Sequence, residues 1–200
     1  IGRYQSASGF KKHGFRQAIA TFRFTRDICR METYLHLGWP VTGPFKYKTN
    51  WVVITGAPSS GKTSVIEELA HRGHAIQNEV ARELIEQCMQ TGLTLQEVRR
   101  DVKALQKKIL ELKLAREMAL NADTLVFMDR GMGDSITYFR LAGLDTLEAE
   151  AASRLFQYRA VFIFDRLPIK KDGVRTESDA QAQNIDRILE EDYKKIGYTP

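Results

Sequence analysis

Cysteine is scarce in this 200-residue chain. Cys29 and Cys88 stand far apart and form no C-x-x-C pair, which excludes a disulfide framework and a cysteine-based zinc site and fits a reducing compartment, so the cytoplasm is the expected location. No apolar run approaches the roughly 18 residues that span a bilayer, and no apolar segment with a small-residue cleavage site opens the chain. Internal repeats and low-complexity tracts are absent too. Excess positive charge is missing from three quarters of the sequence: residues 51–200 hold 21 Lys/Arg against 23 Asp/Glu, a net of −2, whereas residues 1–50 hold nine against two, a net of +7. The overall +5 therefore belongs to a basic leader. The slightly acidic remainder argues against nucleic acid as a partner and suits an ordinary enzyme.

The chain divides accordingly into a leader, residues 1–50, and one folded domain, residues 51–200. Between turn-rich ends the leader contains one helical candidate, with Phe15, Ile19, Phe22 and Cys29 on one side and Arg16, Arg23, Arg26 and Arg30 largely elsewhere. Such a basic amphipathic helix can lie on an anionic membrane or on nucleic acid, but a solvated charge run is the plainer reading. No methionine precedes Met31, so residues 1–30 are expected to derive from an upstream reading frame.

From Trp51 onward the pattern is regular. "WVVIT" (51–55) is a buried-type strand, and a Gly-rich loop leads from it into a helix that closes at Gly73. "HAIQN" is a weak second strand, followed by a helix from about Glu79 to Met89. Thr94 and Glu97 form a capping box for a long helix running to about Leu120. "TLVFMD" (124–129) and "AVFIFD" (160–165) are further buried-type strands, separated by a helical stretch over about 133–158. This alternation predicts an α/β fold with a parallel sheet covered on both faces. In the long helix Leu95, Val98, Val102, Leu105, Ile109 and Leu112 recur at coiled-coil spacing. Fewer than four heptads, interrupted at Arg116, favour packing inside the domain over an oligomer zipper.

The chemistry starts at "GAPSSGKTS". Gly56, Gly61, Lys62 and Thr63 satisfy G-x-x-x-x-G-K-[ST] directly after a predicted strand and at the start of a predicted helix, the context that motif requires. The glycines let the backbone of Gly56, Ala57, Pro58, Ser59, Ser60, Gly61, Lys62, Thr63 and Ser64 wrap one anionic site with its N–H groups and the helix N-terminus. Lys62 reaches the β- and γ-phosphates of a nucleoside triphosphate, and the Thr63 hydroxyl binds the bridging Mg²⁺.

Ligands of open α/β sheets gather at the carboxyl ends of the strands, so acids and arginines there decide what is done with the nucleotide. Asp129 ends "TLVFMD" and suits a magnesium carboxylate. Its successor is Arg130, where a hydrolytic motor would place a glutamate to polarise water, so a phosphate or acceptor clamp fits better. Glu79 and Arg82 share one face of a helical first turn, where a carboxylate can take a proton from an acceptor hydroxyl and an arginine can hold the acceptor; otherwise they are an i,i+3 surface pair. In "KKDGVRTES", Arg175 sits in a polar loop that either closes on the site or is simply solvated. His71 and His74 straddle Gly73 and read as helix-end histidines in preference to metal ligands.

Taken in order, "ITGAPSSGKTSVIEELAHRGH", "NEVARELIEQ", "FMDRGMGDSITYFRLAG" and "DGVRTES" through "YKKIGY" resemble the NadR/TRPL-translocation-defect AAA-type P-loop domain family over about residues 51–200. The resemblance implies a P-loop NTPase three-layer sandwich of kinase-like strand order, with the Asp129 strand beside the P-loop strand. It also implies an ATP or GTP site with Mg²⁺. By that similarity Lys62 and Thr63 contact phosphate and metal, Asp129 serves the metal, Glu79, Arg82, Arg130 and Asp134 face the acceptor, and Arg175 is a lid arginine. Members continue past "GY" into a fifth strand, so the final strand is expected to be missing before Pro200. No Asn-Lys-x-Asp guanine reader occurs, which leans the expectation to ATP.

Two functions follow from these residues. The first is a kinase acting on a small hydroxylated acceptor; the second is a nucleotide-binding switch or slow NTPase that acts through a partner. Neither requires the leader's first 30 residues. Their deletion is expected to leave Mg²⁺-nucleotide affinity unchanged in a calorimetric titration, and loss of binding would contradict that assignment.

Overall fold

The computed structural model describes residues 43–58, 60–165 and 179–200. Ser59, Arg175 and the helical candidate of the leader lie outside the described residues. In chain order the elements are β1 (Tyr47–Lys48), β2 (Val52–Thr55), α1 (Lys62–His71), β3 (Ala75–Gln77), α2 (Val80–Gln90), α3 (Leu95–Val98) and α4 (Val102–Ala119). They continue with β4 (Val126–Asp129), α5 (Gly133–Leu141), α6 (Leu147–Ser153), β5 (Phe156–Gln157), β6 (Ala160–Ile163) and α7 (Asp179–Ile196).

Four strands form a wholly parallel sheet in the order β3-β4-β2-β6. The P-loop strand β2 lies inside it, with Ile54 paired to Asp129 on one side and to Phe162 on the other. All four β2 residues are buried, which is why the run is β-branched without alternation. The expected adjacency of the Asp129 strand and the P-loop strand is therefore present. Residues 43–50, grouped with the leader by charge, pack against the domain: β1 pairs in parallel with β5, and the Thr49 hydroxyl donates to the Gln157 carbonyl.

Two expectations are corrected. The capping box at Thr94 forms with both of its hydrogen bonds, but the helix it starts ends at Val98. Asp101 then caps a new helix by accepting from the Ala104 amide, as its short carboxylate competes well for a free backbone donor. The stretch over 133–158 is likewise two helices and a short strand, interrupted at Gly143, whose φ is 64°.

The apolar stripe of α4 packs on its own chain. Leu105, Ile109 and Leu112 form a buried cluster with Val98 and with Val80, Leu84 and Cys88 of α2, while Leu110 and Leu114 turn to the main core around Val53, Met128 and Trp51. One helix thus covers two neighbours, and Leu95 and Val102 of the stripe are left exposed. This arrangement places α2 and α4 as a wall beside the P-loop.

Beyond the carboxyl end of β4, on the same side of the sheet as the P-loop, α5 and α7 pack closely, and the glycines of "DRGMGD" make room for tyrosines. A Cβ on Gly133 would lie 2.7 Å from two ring carbons of Tyr193, and one on Gly131 would lie 2.8 Å from Val53 Cγ2. Tyr193 is fully buried and cannot step aside. Gly133→Ala is expected to cost about 1–3 kcal/mol through overpacking. Urea denaturation should show this as a lowered midpoint, and an unchanged midpoint would refute the contact.

Candidate functional site

The loop after β2 is built around two strained positions. Gly56 has φ 137°, and a Cβ there would lie 2.6 Å from the Phe164 carbonyl oxygen, so only glycine lets this turn pass the end of β6. Gly61, at φ 82°, turns the chain into α1, whose first residue is Lys62. The Lys62 ammonium donates to the Gly56 carbonyl at 2.9 Å, the Ala57 carbonyl at 2.8 Å and the Ser60 hydroxyl at 2.9 Å. Burial, followed by the Arg130 charge, brings Lys62 down to about 8, while Asp129, Asp134 and Glu79 pull the other way. It remains largely protonated at neutral pH. From α7, the Asp186 carboxylate accepts the Ala57 amide at 2.6 Å.

Two hollows meet at this loop. One, of about 500 Å³, is bordered by Thr63, Glu67, His71, Asn78 and Asp129. The other, a cleft of about 670 Å³, runs from Pro58, Ser60, Gly61, Lys62, Thr63 and Ser64 to the wall formed by α2 and α4. Thr63, Glu79, Arg82 and Glu86 border both. Each volume is in the range of small-molecule sites.

Asp129 and Arg130 stand where β4 runs out. Asp129 Oδ1 is buried without a hydrogen-bond partner among the described residues, and burial followed by the Glu79 charge raises its carboxyl above the usual range, with Arg130 and Lys62 opposing. An uncommitted carboxylate oxygen beside Thr63 is a fitting donor for a hard cation; Mg²⁺ takes oxygen ligands and commonly needs only one or two from protein when phosphates supply others. Thr63 and Asp129 are thus the residues able to hold magnesium.

Arg130 takes a left-handed backbone, φ 68°, uncommon for a residue with a side chain. Its surroundings over-determine that conformation. Nε donates to Glu79 Oε1 at 3.0 Å, Nη1 donates to Asp134 Oδ1 at 2.9 Å, and the guanidinium lies 5.4 Å from the Tyr138 ring centre. Burial alone would weaken its charge, but Tyr138, Asp134 and Glu79 outweigh it. Glu79 therefore pairs with Arg130 across the site. The i,i+3 pairing with Arg82 does not form.

Asp134 is fully buried. Its two oxygens accept from Thr55 Oγ1 at 2.5 Å, Arg130 Nη1, the Gly131 amide at 3.0 Å and Tyr193 Oη at 2.7 Å. Burial opposes its charge, yet Lys113 and Arg130 lead the groups that hold its carboxyl below the ordinary range. It touches β2, the Arg130 turn and α7 at once, and it lies behind Arg130 instead of on the cleft wall.

Residues not singled out from sequence complete the site. Lys113 of α4 is buried, lines the cleft and donates to the Gly131 carbonyl at 2.7 Å. Ser135 and Tyr138 line the same wall. One turn beyond Lys113, Glu117 accepts from Tyr158 Oη at 2.8 Å, and Tyr158 Oη in turn accepts the Met132 amide at 2.7 Å. The signal was present in "ILELKLARE": Ile109, Lys113 and Glu117 share a face, so two charged residues continue an apolar stripe.

A family profile described as an AAA domain matches residues 51–200. The crystal structure of NadR protein in complex with NR matches with a TM-score of 0.53 and 20% identity, over 76% of this chain and 44% of that one. At that identity the likeness speaks for the fold, and this chain spans less than half of that protein's length. No curated protein matches.

Burial, against Tyr158 and Lys113, raises the Glu117 carboxyl to about 7 from an ordinary 4.5. Between those values the unfolded chain ionises while the folded one stays protonated, so this group lowers stability progressively as pH rises and is neutral in effect below 4.5. Glu117→Gln, which still accepts from Tyr158, should therefore gain stability over wild type between pH 4.5 and 7, approaching about 3 kcal/mol. Denaturation at several pH values reads the difference; a pH-independent difference would contradict the assignment.

Proposed function

For a chain that belongs to the AAA domain family through residues 51–200, we propose Mg²⁺-dependent phosphoryl transfer from ATP to the hydroxyl of a small acceptor. GTP is the alternative donor. The observation that carries the proposal is the cleft that runs continuously from the Lys62 loop to Glu79, Arg82 and Arg130. A protein that only held a nucleotide would need no second chamber beside the phosphates lined by two carboxylates and several cations.

In this reading the loop amides and Lys62 bind the β- and γ-phosphates, exchanging the bonds Lys62 makes to Gly56 and Ala57 for bonds to phosphate oxygens. Thr63 and Asp129 hold Mg²⁺, which when bound neutralises charge on the phosphoryl oxygens. Glu79 spends Oε1 on Arg130, leaving Oε2 uncommitted among the described residues to orient or deprotonate the acceptor hydroxyl. Arg82 holds the acceptor. Arg130, fixed by two carboxylates, faces the charge developing on the transferring group, and Arg175 is assigned the same task from the lid. Asp134, placed on the acceptor side by the family resemblance, is assigned the positioning of Arg130. That NadR protein crystallised in complex with NR gives a precedent for a small organic ligand on this fold.

A second reading, a nucleotide-dependent switch, is favoured by one contact: the Ala57 amide bonded to Asp186 couples the loop to α7. Labelled ATP with a panel of nucleosides, ribosides and sugars separates the two. Transfer to a panel member supports the kinase; slow hydrolysis alone, with partner binding that follows the nucleotide state, supports the switch. Lys62→Ala should weaken Mg²⁺-ATP binding by roughly 10- to 100-fold, the worth of charge-assisted hydrogen bonds, and unchanged affinity would overturn both.

A further inference from the structure

The cleft beside the Lys62 loop carries more positive charge than its surroundings explain. Beyond Lys62 its walls hold Arg82, Arg99, Lys113 and Arg130 against Glu79 and Glu86, in a domain whose sequence from residue 51 is net acidic. Arg130 is paired with Glu79 and Asp134. Among the described residues Arg82, Arg99 and Lys113 have no carboxylate within 4 Å.

Lys113 is the decisive group. It is 4% exposed, and an ammonium has three donors, yet the Gly131 carbonyl is its one hydrogen-bond partner among the described residues. Burying a charge without a close counter-ion is costly. Two carboxylates stand near and favour its charge from a distance, but neither accepts a hydrogen bond from it. Asp134 is saturated by four donors, and burial raises the Glu117 carboxyl above the ordinary range while it accepts from Tyr158 Oη. From α5 the Ser135 hydroxyl, 2% exposed, lines the same cleft and has no hydrogen-bond partner among the described residues. Burial disfavours the ammonium form of Lys113, against Asp134 and Glu117, and an oxyanion beside it would restore that charge while satisfying the partnerless hydroxyl lining the same cleft. Leu105 and Ile109 line the same chamber and give a carbon skeleton an apolar surface.

We propose that the acceptor is anionic: a hydroxylated compound whose carboxylate or phosphate group is received by Lys113 and Ser135 while its hydroxyl faces Glu79. This rests on the kinase reading for the word acceptor, but the anion site stands on its own geometry and is tested by binding.

The test uses the whole chain saturated with Mg²⁺ and a non-hydrolysable ATP analogue, so that the phosphate loop is filled. Glycerate and ribose 5-phosphate are titrated beside their uncharged partners, glycerol and ribose. At least one anion of the two pairs should bind roughly tenfold or more tightly than its partner, and Lys113→Met should remove that preference. Ser135→Asp, which places a competing carboxylate on the wall, should remove it too and guards against a Lys113 variant that fails to fold. Equal binding within both pairs, or a preference that survives both substitutions, overturns the proposal. Anion binding that responds to Lys113 without phosphate transfer to any compound would leave the anion site standing and defeat the kinase reading instead.

Discussion

One buried carboxylate organises the active end of this molecule. Asp134 accepts hydrogen bonds from the end of the P-loop strand, from the Arg130 side chain, from the turn that carries Arg130, and from Tyr193 on the last helix. A fully buried charge is tolerated only when it is paired and hydrogen-bonded on every side, and here that requirement fixes three chain segments, β2, the Arg130 turn and α7, relative to one another. The left-handed conformation of Arg130 and the closeness of Gly131 and Gly133 to tyrosine rings are consequences of the same junction. Removing the carboxylate would leave a buried guanidinium half paired.

The same junction explains the electrostatics. Arg130 is held between Asp134 behind and Glu79 in front, so its position at the mouth of the cleft does not depend on a ligand. Lys113 approaches from α4 and ties the Gly131 carbonyl, so the helix that forms the cleft wall and the turn that carries Arg130 form one unit. Pre-set charges of this kind act on a substrate without rearranging, which is what phosphoryl transfer asks of a protein.

Much of this was legible in the sequence. "GAPSSGKTS" located the phosphate loop, four apolar runs located the strands of the main sheet, and Thr94 with Glu97 located a helix start. The failures have physical causes. The break at Asp101 was hidden because the apolar stripe continues in register across it, and spacing alone does not reveal that a carboxylate has captured the next helix's amide. Spacing offers Glu79 either an acceptor-side role or a pair with Arg82, since helical neighbours are visible locally; its partner Arg130 is 51 residues away in sequence and is invisible at that range. Asp134 was assigned to the acceptor side because the resemblance placed it there, and burial, which sequence does not display, puts it behind Arg130. In the sequence Lys113 is one charge among many in a long helix, and nothing local marks it as buried.

The central claim is that the turn from Gly56 to Thr63 cradles a magnesium-bound polyphosphate whose far side opens into the acceptor cleft. A crystal structure of the chain with Mg²⁺ and a non-hydrolysable ATP analogue tests it most directly. The account predicts phosphates on the loop amides, Lys62 turned from the Gly56 and Ala57 carbonyls to phosphate oxygens, and the cation beside Thr63 and Asp129. A nucleotide bound elsewhere, with Lys62 still on those carbonyls, would contradict it.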